Sequence, residues 1–104
     1  MPRKYYSHYD YLEEHLPLFF SELGIPWRGN AGIILAHGDK CYTHKERFEK
    51  AGLTFAQGVA IYLLTYVPPF SKESRETSEG WVDPFEWVIQ NKDRFLPHLP
   101  REDT

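Results

Sequence analysis

The chain has 104 residues, 41% of them hydrophobic and 26% charged. That is the length of one domain, and the composition excludes wholesale disorder. Asp and Glu (15) outnumber Lys and Arg (12), for a net charge of −3. This weighs against nucleic-acid binding, whose affinity rests on neutralising phosphate with concentrated positive charge. One cysteine cannot form an internal disulfide, and the first eight residues lack the apolar stretch of a signal peptide. Both features point to a small, acidic cytosolic protein without a membrane anchor. Aromatics are abundant, with 3 Trp, 7 Tyr and 7 Phe, enough to fill a small core and leave anchors for an interface.

Residues 7–23 carry helix signals. Ser7 and Asp10 stand at the start, and apolar residues recur at Tyr11, Leu12, Leu16, Phe19, Phe20 and Leu23 before Gly24 stops the pattern. Pro17 removes a hydrogen bond inside that pattern, so a kink or a split after Leu16 is expected. Residues 25–30 read as a loop. From Gly32 to Thr43 the pattern predicts a β-hairpin: an apolar run Ile33–Ala36, a Gly38-Asp39 turn and a return strand Cys41–Thr43.

Thr43 with Glu46 predicts a helix start, and Gly52 a left-handed stop, which gives a short helix over residues 44–51. Thr54 with Gln57 opens the most marked segment of the chain, an apolar helix that ends at Pro68-Pro69. A helix apolar all round must be buried, and about 13 residues fall short of the roughly 20 that span a bilayer. Residues 71–80 form a polar surface loop. The last helix opens with Asp83 as cap and Pro84 in first position, carries Phe85, Val88, Ile89 and Phe95 on one face, and stops at Pro97. Residues 101–104 form a short flexible tail. The fold class expected is α+β: three to four helices packed on a two-stranded β-hairpin around a buried central helix. Its core comprises Leu12, Leu16, Phe20, Ile34, Phe48, Phe55, Val59, Leu63, Tyr66, Phe85, Val88 and Ile89.

Four groups of residues are candidates for function. His37, Asp39, Cys41 and His44 are metal-ligand and nucleophile types. In the expected hairpin, however, His37 and Cys41 project to opposite faces, and no common zinc spacing is present. No metal and no cofactor are therefore expected. Residues 44–67 have the outline of a helix-turn-helix, with Lys45, Arg47 and Lys50 as its cations. The phrase Ala51-Gly52-Leu53-Thr54-Phe55 resembles the turn before the second helix of ribbon–helix–helix antitoxins, which implies a DNA-binding regulator. The second helix departs from that pattern, because a reading helix needs polar side chains and this one is hydrocarbon.

The third group, Tyr5, Tyr6 and Tyr9 beside Arg3 and Lys4, mixes basic and stacking groups. The fourth, Trp81, Phe85 and Trp87 around an acidic cap, suits a basic protein partner. No phosphate-binding glycine loop, nucleophile elbow or His-Glu-x-x-His helix occurs. The sequence therefore reads first as a non-enzymatic protein-interaction domain, an inhibitor or adaptor that binds through Trp81, Phe85, Trp87, Tyr5, Tyr6 and Tyr9. A homodimer is a further expectation if the other elements fail to cover Tyr62 or Tyr66 of the central helix.

Overall fold

A computed structural model describes residues 8–75 and 83–99. Every regular element among them is helical, so the α+β expectation is wrong. Helix α1 runs His8–Glu22 and α2 Ala31–Tyr42; α3 is Lys45–Lys50 and α4 Phe55–Leu63. A 3-10 turn, Leu64–Tyr66, continues α4. Helix α5 is Phe70–Arg75, α6 Pro84–Gln90 and α7 Lys92–Phe95, followed by a second 3-10 turn at Leu96–His98.

The expected hairpin is helix α2, for two reasons. Asn30 caps it, its Oδ1 accepting from the backbone N–H of Ile33 at 3.0 Å, which starts a helix where a loop was expected to lead into a strand. Gly38, read as a turn residue, instead marks a close helix crossing: a Cβ there would lie 2.8 Å from Cε1 of Tyr9 on α1. In the helical register Ile34, Gly38 and Cys41 share the buried face, which explains an apolar run interrupted by glycine as well as strand alternation does. Tyr42 belongs to the last turn, and Thr43 closes α2 rather than opening α3. His44 precedes α3 without a side-chain cap bond, so the expected Thr43–Glu46 pairing is not made.

Helix α1 passes through Pro17 without splitting. Pro17 and Glu13 both lie on the exposed side, so the Glu13 carbonyl that loses its partner faces water. The local stop signals are as expected, with positive φ at Gly24 (78°) and Gly52 (92°).

Helix α4 is the centre of the fold, and all nine of its residues are buried. Its start is a reciprocal capping box: Gln57 N–H donates to Thr54 Oγ1 at 3.1 Å, and Thr54 N–H donates to Gln57 Oε1 at 3.0 Å. Helices α1, α2, α3 and α6 surround it, so hydrocarbon meets hydrocarbon on every side. Gly58 admits the ring of Phe48, because a Cβ there would stand 2.3 Å from Phe48 Cδ2.

At the C-terminal end, Asp83 Oδ1 accepts from Phe85 N–H at 2.9 Å and Pro84 takes the first helical position, as expected. The single helix expected there is interrupted at Asn91, whose side chain donates to the Trp87 carbonyl at 2.9 Å. Of the polar stretch 71–80, residues 71–75 belong to α5 and the rest lie outside the described residues, as does the tail 101–104. Ten of the twelve expected core residues are buried; the exceptions are Ile89, half-buried, and Tyr66, 41% exposed. No helix among the described residues is long and apolar enough to cross a membrane.

Candidate functional site: an apolar groove beside Tyr66

The described members of the set singled out from sequence do not form one exposed surface. Trp81, Tyr5 and Tyr6 lie outside the described residues. Phe85 is 9% exposed and Trp87 3%. Trp87 packs against Phe70 and Phe95, with ring centroids 6.3 and 5.8 Å away. Tyr9 is half-buried against Gly38; burial, with Asp39 beside it, raises its pKa. The tryptophan read as an interface anchor is therefore a core side chain.

The His37–His44 cluster is also rearranged. On a helix, His37 and Cys41 stand four residues apart on neighbouring turns, not on opposite faces. Cys41 is fully buried, and burial pushes its thiol up to about 12. It stays protonated at neutral pH and is no nucleophile there. Among the described residues no three His, Cys, Asp or Glu side chains gather as a metal site would require. The helix-turn-helix outline is present as α3 and α4, but α4 shows no surface to a DNA groove. Two of its three supposed cations are occupied, with Lys45 near Glu49 at 3.8 Å and Arg47 bonded to Asp83 and Glu86 at 3.3 and 3.1 Å.

What the fold does assemble is an apolar groove of about 470 Å³. Three elements build it. The end of α1 and the extended segment after it supply Phe20, Ile25, Pro26, Trp27 and Arg28; α2 supplies Ile33 and His37; and the end of α4 with the turn beyond supplies Leu63, Tyr66, Val67 and Pro68. Phe20, Ile25 and Leu63 are buried and form the floor. Trp27 stands edge-on to Phe20 at 5.1 Å. Its indole lies so close to Gly29 that a Cβ there would be 2.3 Å from it, so glycine allows the ring to fold back over its own loop. Ile33 (37% exposed) and Tyr66 (41%) are apolar groups on the rim.

Tyr66 is held from below by a ladder of rings. His37 lies against Tyr66, centroids 4.6 Å apart, and burial, reinforced by the Lys40 ammonium, holds its pKa below the ordinary histidine value. The Tyr66 and Tyr62 hydroxyls share a hydrogen bond of 2.7 Å, and Lys40 Nζ donates to the Tyr66 hydroxyl at 3.3 Å. Tyr62, itself buried, stacks on Phe85 (4.8 Å, 5°), and Phe85 on His44 (3.7 Å, 16°). His44 Nδ1 is 3.2 Å from the Arg47 guanidinium, whose two acidic partners belong to α6 and its cap. Burial and then Arg47 lower the His44 pKa, against a smaller opposing pull from Asp83. Phe85, expected on a binding surface, is instead a buried support behind Tyr62 and the groove's rim.

Sequence reasoning missed Trp27 and Ile33 because it gave one to a plain loop and the other to a strand. Once α2 is a helix, Ile33, His37 and Lys40 recur at helical spacing and lie on one side. A larger cavity of about 950 Å³ lies near the start of α4, lined by His8, Glu49, Thr54, Gln57 and Leu99 among others. It is a poorer seat for an apolar segment, because Glu49, Thr54 and Gln57 put polar groups in its walls, whereas the groove's walls are almost wholly apolar. Comparison with family models, curated proteins and solved structures returns no match for this chain.

Proposed function

We propose that this chain is a cytosolic, non-enzymatic protein-interaction module, an inhibitor or adaptor, that seats a short apolar segment of a partner protein in the groove between Trp27, Ile33 and Tyr66. One observation carries the reading: large apolar side chains stand exposed around a preformed groove whose floor is core. Exposed apolar groups gathered around a concavity mark recognition surfaces, since their burial by a partner is favourable and their exposure otherwise is not. An aromatic anchor with a locked rotamer loses little entropy on binding, and the ring ladder holds Tyr66 in that way.

The test is affinity capture from the native host with the full chain, followed by titration of the purified partner. Ile33→Asp should weaken binding at least tenfold with an unchanged circular dichroism spectrum, because Ile33 is exposed and contributes little to the core. A partner bound equally well by the Ile33→Asp chain overturns the assignment to this groove. If the bound partner is a second copy of the chain, sedimentation reports a dimer that the same substitution dissociates.

A further inference from the structure

The groove lies on an acidic chain, yet none of its lining residues is acidic. Its charged borders are Arg28, in the lining, and Lys40, tied to the lining residue Tyr66. Most other described cations are neutralised within the fold; Lys50 and Lys72 are not, but neither lines the groove. Arg47 is paired with Asp83 and Glu86, Arg94 with Glu73, Lys45 with Glu49 and Lys92 with Asp93. Arg28 and Lys40 have no carboxylate partner among the described residues. Asp39, next to Lys40 in sequence, is about 100° away around the helix and is associated with Tyr9 on α1.

Lys40 donates one N–H to Tyr66 and keeps two for a ligand. The bond to Tyr66 also places the ammonium beside the groove instead of leaving it to sweep through water. We infer that the groove reads an apolar side chain followed by carboxylates, so that the partner segment is acidic. This rests on the protein-interaction reading above, and it reverses the charge of partner expected from the sequence.

The experiment titrates the full, isotopically labelled chain with three acetylated tetrapeptides, read by amide chemical shifts. All three carry the same tryptophan–leucine pair, followed by two aspartates, two asparagines or two lysines. The aspartate peptide should shift the amides of Ile33, His37 and Tyr66 and bind at least fivefold more tightly than the lysine peptide at low salt. The preference should shrink as salt screens the charges. In the Arg28→Met, Lys40→Met double variant it should fall below twofold while asparagine-peptide binding persists; both residues are exposed, so the fold should be unaffected. A lysine peptide that binds as well as the aspartate peptide, or a preference that survives the double substitution, overturns the acidic-segment inference and leaves the groove standing. If none of the peptides moves the groove amides, the protein-interaction reading falls with it.

Discussion

Gly58→Ala should destabilise this protein, although alanine is the better helix former. In an unobstructed helix interior the change gains about 1 kcal/mol. At Gly58 the added methyl would lie 2.3, 2.6 and 2.7 Å from Cδ2, Cε2 and Cγ of Phe48, where carbons in good contact sit about 3.5–4 Å apart. The ring must therefore retreat by about 1 Å. It cannot swing into solvent, because Phe48 is fully buried and Phe85 packs beside it, centroids 6.3 Å apart. Forcing an extra methyl into a closed core costs about 1–3 kcal/mol, and so short a contact belongs at the upper end.

Subtracting the propensity gain leaves a net loss of about 2 kcal/mol. With an unfolding entropy of about 2 cal/mol/K per residue, that lowers the melting temperature by about 9 °C. Thermal and urea unfolding followed by far-UV circular dichroism provide the measurement. In a Phe48→Leu background the narrower side chain yields, and Gly58→Ala should there become neutral or stabilising by up to about 1 kcal/mol. A Gly58→Ala chain that melts higher than the parent by about 4 °C, the amount propensity alone supplies, would refute the packing of Phe48 against α4.

Three further outcomes are expected. His37 faces Tyr62, Tyr66 and Lys40, and His44 faces Arg47, Asp83 and Phe85; both have folded-state pKa values below the ordinary one. The unfolded chain then binds more protons as pH falls, so their contribution is full above about pH 6.5 and is lost as pH drops through that value toward the folded one. Urea midpoints should fall between about pH 7 and pH 5.5 and fall less in the His37→Gln, His44→Gln double variant; a midpoint that rises on acidification contradicts this. Cys41 should be silent to a disulfide reagent at about pH 8 in the native chain and react fully in denaturant, whereas rapid native labelling would contradict its burial and raised pKa. Arg94 stands about 5 Å from the centroids of both Phe70 and Phe95 and is paired with Glu73, tying α5 to α7. Arg94→Ala should cost about 1 kcal/mol, seen as a melting temperature about 4–5 °C lower, and an unchanged melting temperature would show that the contact contributes nothing in solution.

How much of this fold was legible in the sequence depends on how local each signal is. The Thr54–Gln57 box, the Asp83-Pro84 start and the glycine stops at Gly24 and Gly52 involve neighbours only a few residues apart, and each was read correctly. Residues 31–42 were misread because their local evidence is ambiguous. Ile33–Ala36 fits a buried strand as well as a helix, and Gly38-Asp39 is a good hairpin turn. The deciding partner of Gly38 is Tyr9, twenty-nine residues earlier, which no window on the chain includes. The same error hid the groove, since the common side of Ile33, His37 and Lys40 exists only on a helix. It also sent the functional reading to Phe85 and Trp87, whose burial depends on Tyr62, His44, Phe70 and Phe95 converging from four other segments.

The sequence by itself determined that the segment opening at Thr54 would be a capped helix buried over Phe55–Leu63, because a run with almost no polar group leaves hydrocarbon no other place. Whether its last turn would be covered was a matter for the neighbours. They close over Tyr62 and stop short of Tyr66, leaving one ring in the core and the other, a single helical turn later, on the rim of the groove. Burial at that turn is set by where α1 ends, where Trp27 folds back and how closely α2 crosses, and those are distances between segments that only the tertiary structure supplies.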